Sequence, residues 1–274
     1  MNPATKDSLP YLTGMGLRNR CHLIYDEFQK DPASSINKEN EVAFVKTDFI
    51  YEFFEKIAVK IKFKFKLITH NSAYDINESR ARYVNLPNLT EWYAQNVNLI
   101  HPKIKSIPLS IMNARWPCGN VESIQEIKDL NIPKSHLLYC NFDSSTNPSS
   151  RNIVSKRFQG KNFVLSAQRK PFKDYLMDLK SSHYVLSPNG RGVDCHRLWE
   201  TLLMGSIPIV EKSINTSFYK HLPILIIDDW SQVNEKFLLK KNNQFKNIDP
   251  EECYLNYWVQ KIGLKNLKTE LKYV

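Results

Sequence analysis

The run Ser187-Pro188-Asn189-Gly190-Arg191-Gly192-Val193-Asp194-Cys195-His196-Arg197-Leu198-Trp199-Glu200 concentrates the groups of this chain best suited to holding an anion. An apolar strand pattern ends at Ser187. Asn189-Gly190-Arg191-Gly192 follows as a flexible turn, and a helical pattern then begins with Asp194 as its N-cap. The glycines let the backbone approach a ligand closely. The first turn of a helix offers free N–H groups and the positive end of the helix dipole, which together favour phosphate. Arg191, His196 and Arg197 add side-chain donors at the same end, and arginine can grip a phosphate with two parallel bonds. Glu200 stands one turn beyond His196 and Arg197, where a carboxylate can accept bonds from the hydroxyls of a ribose. The chemistry that fits is the capture of a phosphorylated nucleotide. A Gly-x-Gly turn also occurs in plain helix–strand connections, and on that reading Glu200 is a solvated helix residue. Leu198 and Trp199 are read as core packing.

These residues need a sheet behind them. In the second half, strands are predicted at 137–142, 162–166, 183–187, 207–210 and 225–228, and helices at 149–158, 171–180, 194–204, 215–220 and 231–240. That alternation is the pattern of βα units on a parallel sheet. The first half reads as a strand at 42–45 and a helix at 48–58 that buries Phe49, Phe53, Phe54 and Ile57. A strand at 59–68 comes next. Its apolar residues alternate with lysines, which places it half-buried near a sheet edge. Residues 89–95 read as helix and 104–111 as a strand interrupted by Pro108. Polar residues 240–247 read as a loop, and 250–270 as a helix burying Tyr254, Tyr257, Trp258 and Ile262. A boundary within 118–133 gives two domains, 1–125 and 126–249, with the 250–270 helix packing back on the first and a cleft between the two. Ligands of open α/β sheets sit beyond the C-terminal ends of the strands, which is where the 187–200 run falls.

Composition narrows the partners. A hydrophobic share of 42% with 24% charged residues suits an ordinary globular chain. No run reaches the roughly 18–20 apolar residues of a membrane span. The N-terminus lacks a basic segment followed by an apolar one, so no signal peptide and a cytoplasmic location are expected. Cys21, Cys118, Cys140, Cys195 and Cys253 are scattered without a Cys-x-x-Cys, which argues against a disulfide framework and a zinc site. The net charge of +10 favours an anionic partner. Its lysines are dispersed and form no basic stripe interleaved with aromatics, so nucleic acid is not the expected one.

Gly190-x-Gly192-x-Asp194-x-His196-Arg197-Leu198-Trp199-Glu200, followed by Gly205-x-Ile207-Pro208-Ile209-Val210, resembles the C-terminal part of exostosin-like glycosyltransferases. That family includes heparan sulfate polymerases and many plant cell-wall transferases. The likeness continues through Leu222-Pro223-Ile224-Leu225 to Asp229-Trp230. In the first half, Leu67-Ile68-Thr69-His70-Asn71-Ser72, Trp92-Tyr93-Ala94-Gln95-Asn96 and Ile107-Pro108-Leu109-Ser110-Ile111, with Asn113, Trp116 and Gly119, resemble short exostosin-like proteins of large algal viruses and some microbes. Residues 42–230 are covered, and 190–210 is the more specific block. The resemblance implies an α/β chain of GT-B fold, two Rossmann-like domains facing a cleft. It implies inverting transfer from a UDP-sugar to an oligosaccharide or glycoprotein glycan, with no cofactor and no essential metal. If the source is viral, the implied location is the host cytoplasm. The sequence contains no Asp-x-Asp, and Asp228-Asp229 read as a strand end. UDP-xylose is the first donor to try on family grounds.

Without a metal, the leaving diphosphate needs protein cations. Arg197 and Arg191 qualify, and Arg151 is a third candidate whose competing reading is a surface arginine. Ser187, Asn189, Gly190, Gly192, Asp194 and His196 complete the expected donor site, with Glu200 on the ribose. An inverting transfer also needs a base for the acceptor hydroxyl, expected on the loop 70–75. Related short proteins commonly carry an acidic residue after His-Asn-Ser, where this chain has Ala73. Three readings stay open: the base is absent at Ala73, as in a variant engineered to trap substrates; Asp75 replaces it; or His70, otherwise a structural histidine, does the work. Trp92, Tyr93, Trp116 and His101 could line an acceptor site, with core packing favoured for Trp92. The alternatives are a GT-B transferase using a GDP-sugar such as GDP-fucose, and a non-catalytic protein that binds nucleotide-sugar or nucleic acid.

Overall fold

The structure is a computed structural model that describes residues 3–241, 244–245 and 249–266. Residues 242–243 and 246–247 of the expected loop, and 267–270 of the expected last helix, lie outside the described residues. The chain forms two compact units, Met1–Leu109 with Tyr254–Val274, and Ser110–Cys253. Each is built on a five-stranded sheet in which every neighbouring pair is parallel. No helix among the described residues is long and apolar enough to cross a membrane.

In the first unit, β1 (Leu23–Tyr25), β2 (Glu41–Lys46), β3 (Phe65–His70), β4 (Leu89–Ala94) and β5 (Ile104–Ser106) lie side by side in chain order. A short helix, α1 (Gly14–Arg18), precedes β1, and α2 (Ile50–Lys56) and α3 (Glu78–Ala81) lie in the connections after β2 and β3. Two expectations need correction. Residues 89–95 are not helical: β4 runs between β3 and β5 with Trp92, Tyr93 and Ala94 buried. A short apolar run does not by itself distinguish a buried strand from a buried helix, and here pairing on both sides decides. The lysine-rich strand is not at an edge. Lys60, Lys62 and Lys64 sit exposed in the turn and coil before β3 begins. Lys66, on the strand itself, reaches Glu91 at 3.3 Å and the Ile262 carbonyl at 2.9 Å. The three-residue β1 has no counterpart in the sequence reading, and β5 stops two residues short of Pro108.

The second unit runs α4 (Val121–Asp129), β6 (His136–Cys140), α5 (Pro148–Phe158), β7 (Val164–Ser166), α6 (Phe172–Ser181), β8 (Ser182–Leu186), α7 (His196–Leu203), β9 (Ile207–Glu211), α8 (Ile214–Ser217), β10 (Leu225–Ile227) and α9 (Glu235–Lys241). The segment 118–133 belongs within this unit, because α4 packs on α6 and Glu126 pairs with Lys173. The division therefore falls between Leu109 and Ser110. The final helix, α10 (Leu255–Ile262), belongs to the first unit. Its Leu255, Trp258, Val259 and Ile262 share one core with Leu12, Val42, Phe44, Ile68 and Tyr93. The buried stripe thus starts at Leu255, one residue after the expected Tyr254, and keeps the i, i+3, i+4, i+7 spacing of a helix face.

The strand order of the second sheet is β10-β9-β8-β6-β7. The chain passes from β6 outward to β7, then returns across β6 to lay down β8, β9 and β10 on its other side. The connections leaving β6 and β8 therefore diverge, and a crevice opens at their C-terminal ends. In the first sheet the order never reverses, so it has no such point.

Candidate nucleotide-phosphate site

The crevice is reached by Asn141-Phe142 after β6 and by Ser187-Pro188 after β8. The loop 189–195 leads from there into α7 and is held by Arg151 of α5. The Arg151 Nε donates to the Asn189 carbonyl at 3.0 Å and Nη2 to that of Pro188 at 3.3 Å. Its Nη1 donates to the Asp143 carbonyl at 2.9 Å and to the Thr146 hydroxyl at 2.6 Å, and Nη2 also meets the Cys195 Sγ at 3.7 Å. The residue is 5% exposed. It is not a surface arginine: its N–H groups are engaged by the segments 143–146 and 188–195. Burial, and then the neighbouring Arg197, push its pKa down, yet an arginine stays charged over any physiological range. Gly190 answers to the same side chain: a Cβ there would come within 3.0 Å of Arg151 Nη2.

The start of α7 differs from expectation. Its N-cap is Cys195, which makes no side-chain capping bond. Asp194 is buried and accepts instead from the Cys195 backbone N–H at 2.8 Å and the Trp199 indole N–H at 2.9 and 3.0 Å. It ties the helix entrance to its second turn, so the capping role predicted for it is not the one it has. His196 Nδ1 donates to the Ser110 carbonyl at 2.6 Å, so that nitrogen carries a proton. Gly192 supplies its carbonyl to the Gly190 N–H at 3.1 Å. Arg191 is exposed.

Arg197 is the exception among these side chains. Its guanidinium lies over the Phe142 ring at 5.7 Å, and Arg151 lies over the same ring at 5.6 Å. Its Nε is buried with no hydrogen-bond partner, as is the Ser187 hydroxyl. A buried donor left unmade costs about 1–3 kcal/mol, so the Arg197 Nε and the Ser187 hydroxyl are polar groups that the described residues leave unsatisfied at the crevice. Glu200, one turn on, is 5% exposed and not a solvated helix residue. Its Oε2 accepts from the Tyr175 hydroxyl at 2.8 Å, and Oε1 makes no hydrogen bond among the described residues. Burial raises the Glu200 pKa, while the Tyr175 bond and Arg197 pull it down.

The sign of that shift gives a test. A carboxyl whose folded pKa lies above its unfolded value loses stabilisation as pH rises through the interval between the two, because the folded state must then bury the charge. Glu200→Gln is therefore expected to melt no lower than the parent at neutral pH, with the difference shrinking toward pH 4 as the parent carboxyl protonates. Melting curves across that range check it. A variant melting well below the parent at pH 7 would show that the charge is a stabilising one.

Phe142 and Tyr175 are the members of the site that sequence reasoning missed. Phe142 could have been found from its place at a strand end. Nothing local connects Tyr175 to Glu200, since they meet only when α6 and α7 pack.

In the first unit, the loop after β3 carries the other candidates. His70 is buried, its Nε2 donating to the Pro108 carbonyl at 2.9 Å and its Nδ1 accepting the Asn71 N–H at 2.8 Å. Burial lowers its pKa. This is the pattern of a structural histidine with both nitrogens engaged. Asp75 pairs with Arg80 at 3.0 Å and also accepts from Asn98 at 3.0 Å. Ala73 is exposed. Trp92 and Tyr93 are core, His101 accepts the Lys103 N–H at 3.1 Å, and Trp116, in the second unit, is 54% exposed.

Residues 125–253, from within α4 to the end of the second unit, match the family model described as the RXYLT1 C-terminal domain. No curated protein matches. Among solved structures, the crystal structure of the GtfA/B complex is similar over 82% of this chain, at 9% identity and a TM-score of 0.39. This chain spans 57% of that chain's length.

Proposed function

We propose that this chain is a metal-independent, inverting glycosyltransferase of GT-B type whose donor, a nucleoside-diphosphate sugar, enters the crevice between the ends of β6 and β8. The observation that carries the reading is Arg197, a cation with its Nε buried and unpartnered at the first turn of α7, where a helix N-terminus also favours phosphate. In this scheme Arg197 neutralises the charge that develops on the departing diphosphate. The free Oε1 of Glu200 accepts from the ribose. Arg151, Asp194 and His196 hold the loop and helix start in place. The family match over residues 125–253 supports sugar transfer with xylose as the first donor to try, and UDP is taken as the nucleotide on the sequence resemblance alone. The acceptor is a hydroxyl of an oligosaccharide or glycoprotein glycan, which we assign to the 70–75 loop of the first unit.

Thermal unfolding with UDP, UDP-xylose, UDP-glucose, GDP and GDP-fucose tests this. Ligand at 100 times its dissociation constant stabilises by about 2.7 kcal/mol, a shift of several degrees. A UDP-selective shift supports the donor site, a GDP-selective one changes the nucleotide, and no shift with any of them sinks the proposal.

One observation favours a second reading, donor binding without turnover. His70 and Asp75 are both engaged, and the position where the resemblance implies an acid is the exposed Ala73. Glycosyl transfer by an Ala73→Glu protein and not by the parent would select it.

A further inference from the structure

At the opposite end of the second sheet, where β6 and β9 begin, there is an open cavity of about 410 Å³. It forms where α4, α6 and α7 end. Leu202, Leu203 and Met204 of α7 back it but are themselves almost wholly buried. Its cations are Lys128 of α4, Lys134 before β6 and Lys180 of α6. Lys128 pairs with Asp249 at 2.6 Å. Lys134 and Lys180 have no ion pair among the described residues: Lys180 donates to the Lys128 carbonyl at 2.7 Å, and Lys134 to the Ser206 hydroxyl. A cation beside a helix C-terminus is ordinary, which accounts for Lys180. It does not account for Lys134, whose hydroxyl partner carries no charge.

The charged group that acts on Lys134 is the like charge of Lys180, whereas Lys180 also has Asp129 nearby and Lys128 is paired with Asp249. Lys134 is the ammonium with no carboxylate of its own among the described residues, and a bound anion would relieve this. We propose that this cavity is a second ligand site, which takes a small phosphate-bearing molecule with its phosphate on Lys134 and Lys180. Its size lies within the usual range for small-molecule sites, about 300–1,000 Å³. The strand ends separate it from the crevice, although α7 serves both, with Arg197 in its first turn and Leu202–Leu203 in its last. The inference stands independently of the donor proposal.

Protonation supports it. Burial, and then Lys180, push the Lys134 pKa down to about 8. The other charged groups around it are Lys128 and Asp129 of α4, Asp249, and His183 of β8, whose own pKa is lowered by burial and by Lys134. Lys134 gains its charge as pH falls through about 8, so anion binding strengthens below that pH and weakens as pH rises past it.

The test is calorimetric titration with inorganic pyrophosphate, using Arg197→Ala protein so that the crevice does not contribute. The expected result is one site per chain, weakened about tenfold or more by adding Lys134→Met and weaker at pH 9 than at pH 7. Lys134→Met keeps most of the side-chain length and removes the ammonium charge together with its bond to the Ser206 hydroxyl. Should it fail to fold, Lys180→Gln is read by the same criterion. No binding to the Arg197→Ala protein, or binding that these lysine changes leave intact, overturns the proposal.

Discussion

Arg197→Ala protein is expected to fold as well as the parent and to lose its response to nucleotide. The parent guanidinium makes no hydrogen bond among the described residues and keeps its Nε buried without a partner, so truncating it removes a desolvated donor and leaves no hydrogen-bond acceptor unmet; what is lost is the positive charge that holds the Glu200 pKa down. The melting temperature without ligand should hold or rise slightly. With ligand, the charge-assisted bonds to phosphate are gone, and affinity should fall by about 100-fold, or about 2.7 kcal/mol. Arg197→Lys should recover only part of this, because an ammonium cannot make the bidentate contact. Paired melting curves with and without UDP read both halves of the prediction. An unfolded Arg197→Ala protein, or one still stabilised by nucleotide, would remove Arg197 from the site.

Arg151→Met is expected to behave in the opposite way. The two arginines share the Phe142 ring, but every donor of Arg151 is committed to the loops at 143–146 and 188–195. Replacing it leaves the carbonyls of Asp143, Pro188 and Asn189 without that donor. Asp143 is exposed, so its carbonyl can turn to water; at about 1–3 kcal/mol for each of the other two acceptors, the loss should be about 2–6 kcal/mol, read by urea unfolding as a lower midpoint at unchanged slope. Nucleotide binding should weaken as well, since the loop that leads into α7 is released. A variant as stable as the parent would return Arg151 to the ligand-binding role suggested by its sequence position.

The contrast shows which parts of this protein a sequence exposes. The second unit is legible because its apolar runs and helix faces alternate regularly, and the position of the anion site follows from a local motif, glycines before a helix start. Arg151 and Arg197 look alike at that level. What separates them is the return of the chain across β6 to form β8, which brings the 188–189 carbonyls to α5. No local spacing encodes that step. Asp194 shows the same limit: an acidic residue before a helix signals a cap, but the Trp199 indole five residues later takes the carboxylate. In the first unit, Trp92 and Tyr93 sit in a run too short for periodicity to settle, and only the pairing of β4 with β3 and β5 makes it a strand.

The division of the chain also bears on the order in which it folds during synthesis. The second unit is one continuous stretch, whereas the first is made of two pieces. The apolar face formed by Phe44, Ile68 and Tyr93 is covered by α10, which leaves the ribosome only after all of Ser110–Cys253 has been made. At ordinary elongation rates that is a delay on the order of ten seconds. During that interval the nascent first sheet presents bare hydrophobic surface to chaperones and to other chains, while the second unit already has every residue it needs. The half made later is thus the half that can mature first.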